Sequence, residues 1–83
     1  MNNEYEFNLT KETRLEINMA KRAGIQADYY PQLVETLIEL RYNVKQELAI
    51  NRQRDTKIAE WNDYNSYCEA CKQEAKRLLG LEE

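Results

Sequence analysis

An all-α fold is what this sequence predicts, and three observations carry the prediction. Glycine and proline, the residues that interrupt regular structure, number only two and one in 83 residues. Apolar residues recur every three or four positions over most of the chain, the spacing that lines one face of a helix. Charges follow helix polarity: Glu12 precedes Lys21 and Arg22, Glu35 and Glu39 precede Arg41 and Lys45, and Glu60 and Asp63 precede Lys72, Lys76 and Arg77. A helix dipole favours acid at the head and base at the tail by ~0.3–1 kcal/mol per charge. The expected architecture is a long antiparallel helical hairpin with a shorter N-terminal helix and an extended N-terminal arm, one small helical domain over residues 1–83.

The arm comes first, over residues 1–9. Tyr5, Phe7 and Leu9 alternate with Glu4, Glu6 and Asn8, which puts the apolar side chains on one face of an extended segment. A lone strand is not stable and no partner strand exists in the sequence, so the arm is expected to pack on the chain's own helices, with a flexible arm or donation to another chain as the alternatives. Thr10 offers a capping hydroxyl for a helix over 11–23, with Leu15, Met19 and Ala23 as its apolar stripe, Ile17 and Ala20 beside it, and Gly24 as its stop.

A second helix is expected over 29–51, capped by Asp28, with Pro31 in its first turn where no backbone donor is lost. Leu33, Leu37, Leu40, Val44 and Leu48 form its stripe, widened by Val34 and Ile38. Arg52 to Thr56 interrupts the pattern, and Asp55 or Thr56 can cap a third helix over 57–79 that stops at Gly80. Trp61, Tyr64, Cys68, Cys71, Ala75 and Leu78 fall at heptad-like steps. A short connection makes the two long helices antiparallel. That sets Leu48 near Trp61, Leu40 near Cys68, Leu37 near Cys71 and Leu33 near Ala75, large side chains facing small ones along most of the seam.

Several activities are set aside by the residue types present. The net charge of −3 gives no general attraction to phosphate backbones or anionic lipid, and no apolar run approaches the ~20 residues of a membrane span. No leader for export is apparent at Met1 to Tyr5, so a cytoplasmic place in a bacterial host, or a place in a phage particle, is expected. There is no histidine, no glycine-rich phosphate loop and a single serine, Ser66; the chain is not expected to be an enzyme or to carry a cofactor or metal. Cys68-Glu69-Ala70-Cys71 has the two-residue spacing of zinc knuckles and redox sites. It lies deep in a helix and supplies two ligands where zinc takes four, and such thiols more often behave as small apolar core residues.

The basic stretch Arg41, Lys45, Arg52, Arg54 and Lys57 could contact phosphates, yet it also suits the helix dipole and the acidic head of the following helix, so nucleic acid is the disfavoured partner. Tyrosines 5, 29, 30, 42, 64 and 67 are the other excess. Tyr42 and Tyr67 fall off the expected seam and near one another across the hairpin, so they mark a candidate partner surface together with Tyr29. Val34 and Ile38 are the swing positions: covered by the first helix through Leu15 and Met19 they are core, and uncovered they form a face for self-association.

Tyr30-Pro31-Gln32-Leu33-Val34-Glu35, Arg52-Gln53-Arg54-Asp55-Thr56-Lys57 and Glu60-Trp61-Asn62-Asp63-Tyr64, within residues 30–77, resemble a pattern found in short uncharacterised proteins of bacteriophages and prophages. The resemblance implies a phage accessory or virion-associated protein and brings no catalytic residues. The expected function is a small protein-protein interaction module, structural or adaptor in role, binding a protein partner or itself. Two alternatives stand beside it: a nucleic-acid-binding regulator using Arg41, Lys45, Arg52 and Arg54, and an inhibitor of a host protein.

Overall fold

A computed structural model of the chain describes residues 5–81. It contains four helices, α1 (Lys11–Ala23), α2 (Gln26–Glu39), α3 (Val44–Arg52) and α4 (Ile58–Leu79), and no strand among the described residues. The fold is all-α. Its radius of gyration is 13.9 Å, against ~12 Å for a compact domain of this length, and its longest dimension of 45 Å exceeds the ~33 Å of a 22-residue helix.

The described part of the arm, from Tyr5 onward, lies against the chain's own helices. Tyr5, Phe7 and Leu9 are half-buried on the core while Glu6 and Asn8 face outward, as the alternation predicts. Thr10 then caps α1: its hydroxyl oxygen accepts from the Thr13 amide at 3.1 Å. The face of α1 that enters the core is not the one its bulkiest residues mark. Thr13, Ile17 and Ala20 are buried, and Leu15 and Met19 point outward. Both stripes have helical spacing, so pattern alone cannot choose between them. Ala20 lets α1 come close to its neighbours, and the Thr13 hydroxyl lies 3.0 Å from the Thr10 hydroxyl, so its burial leaves no polar group unpaired.

Gly24 adopts the left-handed conformation, φ +70°, and closes α1 with two bonds, Gly24 N–H to the Lys21 carbonyl and Ile25 N–H to the Ala20 carbonyl. The chain turns so sharply there that α2 begins at Gln26, three residues earlier than expected. Asp28 is therefore in the first turn rather than at the cap, which is Ile25 with no side-chain bond. Pro31 lies inside the helix, where its lack of an N–H leaves the Ala27 carbonyl without its helical donor.

The expected continuous helix over 29–51 is two helices. α2 stops at Glu39 and α3 starts at Val44, and both ends have a chemical cause. At the first, the Leu37 carbonyl, which the Arg41 amide would use in a continuing helix, already accepts from the Tyr67 hydroxyl at 2.7 Å and from the Leu40 amide at 3.2 Å. The Arg41 amide turns to the Ile38 carbonyl instead, at 3.1 Å, and shares it with the Tyr42 amide at 2.9 Å. At the second, Asn43 and Gln46 form a reciprocal capping box: the Gln46 amide donates to Asn43 Oδ1 at 2.8 Å, and the Asn43 amide donates to Gln46 Oε1 at 2.9 Å. The stripe loses its outer half as a result. Leu40, Val44 and Leu48, expected in the seam, are exposed.

α4 begins at Ile58 without a side-chain cap, since Thr56 donates its hydroxyl back to the Gln53 carbonyl at 3.1 Å and neither it nor Asp55 caps the helix. It ends at Gly80 as expected, φ +71°, with Leu81 N–H on the Lys76 carbonyl. Tyr64 of α4 pairs with Glu47 and Tyr67 with Leu37, so rising positions on α4 meet falling positions on α3 and α2, an antiparallel sense. The buried face of α4 is Tyr64, Tyr67, Cys71, Ala75 and Leu79; Trp61, Cys68 and Leu78, expected in the seam, are half-buried. α4 meets α1 as well as α2, and the arm lies over Tyr67, which widens that face beyond a two-helix seam.

Leu33, Leu37, Cys71 and Ala75 are all fully buried in one cluster, consistent with the inner half of the expected register. Val34 is buried in the same cluster and Ile38 packs against it. Their cover on α1 is Ile17 and Ala20 rather than Leu15 and Met19.

Candidate interaction surface

The aromatic residues that carried the partner expectation form a chain of rings around Tyr67. Its ring meets Tyr5 edge-on at 5.0 Å, Phe7 stacked at 5.8 Å and Tyr42 at 5.6 Å between centroids. Tyr42 also meets Tyr64 edge-on at 5.1 Å, and Trp61 lies 6.0 Å from Tyr64. Tyr42 and Tyr67 are thus neighbours, but Tyr67 is 2% exposed. Its ring and hydroxyl are both used inside the fold, which leaves no Tyr67 face for a partner in this conformation. Val34, 9% exposed, is likewise core.

Tyr42, Tyr29 and Ile38 are half-buried. Tyr29 ties α2 to α1 by donating its hydroxyl to Glu16 Oε1 at 2.7 Å. Burial, then the bond to the Glu16 carboxylate and its charge, pushes the phenol up to about 12, so it stays a neutral donor. A similar bond fixes α3: Tyr64 donates to Glu47 Oε1 at 2.6 Å, and burial first, the Glu47 bond second, raises the Tyr64 phenol.

The basic candidates divide in two. Lys45, Arg52 and Arg54 are exposed on α3 and the turn after it, and form no ion pair within 4 Å among the described residues. Arg41 instead lies over the tyrosine cluster, its guanidinium carbon 5.3 Å from the Tyr5 ring, 5.7 Å from Tyr42 and 5.3 Å from Tyr67.

The thiols belong to the interior. Cys71 is fully buried and its thiol is pushed up to about 12, chiefly by burial; half-buried Cys68 is raised by the same cause. Neither has the lowered pKa of a reactive cysteine. Among the described residues no group of three or more His, Cys, Asp or Glu side chains could hold a metal ion.

What sequence reasoning missed is the outer side of α3. The helix buries none of its residues, and Val44 and Leu48, one turn apart, are 60% and 52% exposed. Lys45 and Arg52 lie on the same side by helical spacing, opposite Glu47, which holds Tyr64. Leu40 is exposed just ahead of this helix, and Leu15 and Met19 make a similar outward pair on α1. The signal was present in the sequence as Asn43-Val44-Lys45-Gln46, the capping-box pattern that starts a helix.

No helix among the described residues is long and apolar enough to cross a membrane. No family model matches this chain, and no curated protein or solved structure shows significant similarity to it.

Proposed function

We propose that this chain is a helical protein-protein interaction module, structural or adaptor in role, that binds through the outward side of α3. The observation that carries the reading is a helix with no buried residue and two large apolar side chains, Val44 and Leu48, presented outward one turn apart. Such pairs at helical spacing are the anchors by which one helix seats in a partner's groove or on its face. Lys45 and Arg52 beside them favour a partner that is acidic around an apolar strip. Leu15 and Met19 on α1 offer a second apolar contact, which makes self-association part of the proposal. The working setting is a phage accessory or virion-associated protein in a bacterial host or in a particle, in line with the resemblance over residues 30–77.

The test compares the wild-type chain with Val44→Glu/Leu48→Glu, substitutions at exposed positions that leave the core untouched. Light scattering across a concentration series reads self-association, and a photo-crosslinking side chain at Leu48 in extracts of the host reads partners. The expected result is a complex or cross-linked partner with the wild type that the double variant loses. A wild type that stays monomeric and cross-links nothing through position 48 refutes the proposal. The nucleic-acid reading, favoured by Lys45, Arg52 and Arg54, exposed and without an ion pair among the described residues, is decided by titrating labelled DNA and RNA at two salt concentrations, because phosphate contacts weaken steeply with salt.

A further inference from the structure

The tyrosine cluster has an outer side, and Arg41 lies on it. Its guanidinium contacts rings from three separate segments: Tyr5 of the arm, Tyr42 between α2 and α3, and Tyr67 of α4. A ring attracts a guanidinium through its charge and accepts no conventional hydrogen bond from it. Arg41 is exposed, and it makes no hydrogen bond or ion pair among the described residues. Its side chain lines a shallow open cleft with Tyr5, Glu6, Asn8, Leu40 and Tyr67. Glu6 shares this cleft without forming an ion pair to Arg41 within 4 Å. A cation in contact with three rings, whose donors have no hydrogen-bond partner among the described residues, is a preorganised site for an anion.

We propose that the Arg41 cleft binds a carboxylate of a partner segment, with an apolar side chain of the same segment seated against Leu40 and Tyr5. The lining selects this class. One planar fork matches one carboxylate by paired N–H bonds. Glu6 on the same cleft opposes a doubly charged phosphate more strongly than a singly charged carboxylate, and the Asn8 amide can bond neutral polar groups beside the carboxylate. Leu40, exposed at the end of α2, supplies the apolar wall. The inference deepens the reading of the chain as a protein-binding module by naming what the partner presents; it rests on that reading only for the partner's being a protein.

Small probes test the site without the partner. Nitrogen-15 NMR of the full chain follows the Arg41 Nε–H signal, assigned by its loss in Arg41→Lys. The probes are N-acetyl-phenylalanine, its carboxamide, an amide-capped N-acetyl-phenylalanyl-aspartate and inorganic phosphate. The expected result is a saturable shift with the two acids, none with the carboxamide, and binding at least tenfold weaker in Arg41→Lys as read from neighbouring backbone signals. The stronger of the two acids tells a chain-terminal carboxylate from a side-chain one. Equal shifts with acid and carboxamide, no shift with either acid, or tighter binding of phosphate than of both acids overturns the proposal. Backbone dispersion of Arg41→Lys reports its folding, and the acid-carboxamide contrast in the wild type stands without that variant. A failed titration leaves partner capture through Leu48 untouched, and loss of capture in Val44→Glu/Leu48→Glu leaves the titration untouched, so the two readings fail separately.

Discussion

Tyr67→Phe removes one oxygen atom and keeps the ring that Tyr5, Phe7, Tyr42 and Arg41 surround. The hydroxyl lost is the one that donates to the Leu37 carbonyl at 2.7 Å, at a residue 2% exposed to water. Without it that carbonyl keeps only the Leu40 amide at 3.2 Å, in a place water does not reach. A hydrogen bond contributes a net ~0.5–1.5 kcal/mol, and a buried group left unpaired costs ~1–3 kcal/mol. The partial bond from Leu40 places the expected loss at ~1–2 kcal/mol, which in a domain of this size lowers Tm by ~5–15 °C. Tyr67→Ala also removes the ring and should cost ~3–5 kcal/mol. Urea unfolding followed by far-ultraviolet circular dichroism and by Trp61 fluorescence measures both. A Tyr67→Phe variant as stable as the wild type, or as unstable as Tyr67→Ala, refutes the assignment of this hydroxyl as the group that ends α2.

Three further outcomes follow from the same structure. Asn43→Ala breaks the capping box and should cost ~1 kcal/mol. Because α3 buries nothing, amide exchange should speed up in α3 first, and equal acceleration in α4 would contradict its peripheral placement. Pro31→Ala, at an exposed position inside α2, should stabilise by ~1–2 kcal/mol, less than the ~3 kcal/mol interior propensity gap because proline also restrains the unfolded chain. An unchanged or lower Tm would mean the helix starts nearer Pro31 than Gln26. Cys71 titrates near 9 when unfolded and is pushed up to about 12 when folded, so its stabilisation is complete below pH 9 and declines as pH rises from 9 through 12. The slope contributed is up to ~1.4 kcal/mol per pH unit; Tyr29, raised from 10 to about 12, adds to the fall above pH 10. Urea midpoints that stay level from pH 7.5 to 10.5, or alkylation of Cys71 before Cys68 in the native chain, would contradict this burial.

Local chemistry was legible in the sequence wherever a residue acts on its own backbone. Thr10 caps the first helix, Gly24 and Gly80 end two helices, and the alternation of Tyr5, Phe7 and Leu9 lays one side of the arm on the core. Leu33, Leu37, Cys71 and Ala75 were identifiable as core because only one face of each helix is rich in apolar or small residues there. Two choices needed the folded chain. On α1, two stripes of equal periodicity compete, and the contact with α2 and α4 selects Ile17 and Ala20 over Leu15 and Met19. Between α2 and α3, apolar spacing runs on unbroken through Leu40, Val44 and Leu48, and at the break the Leu37 carbonyl holds a hydroxyl from 30 residues away, that of Tyr67. Spacing records which side chains could share a face; it carries no information about a distant donor that reaches a backbone acceptor. That one bond helps turn three intended seam residues outward, and the surface they make is where the proposed function lies.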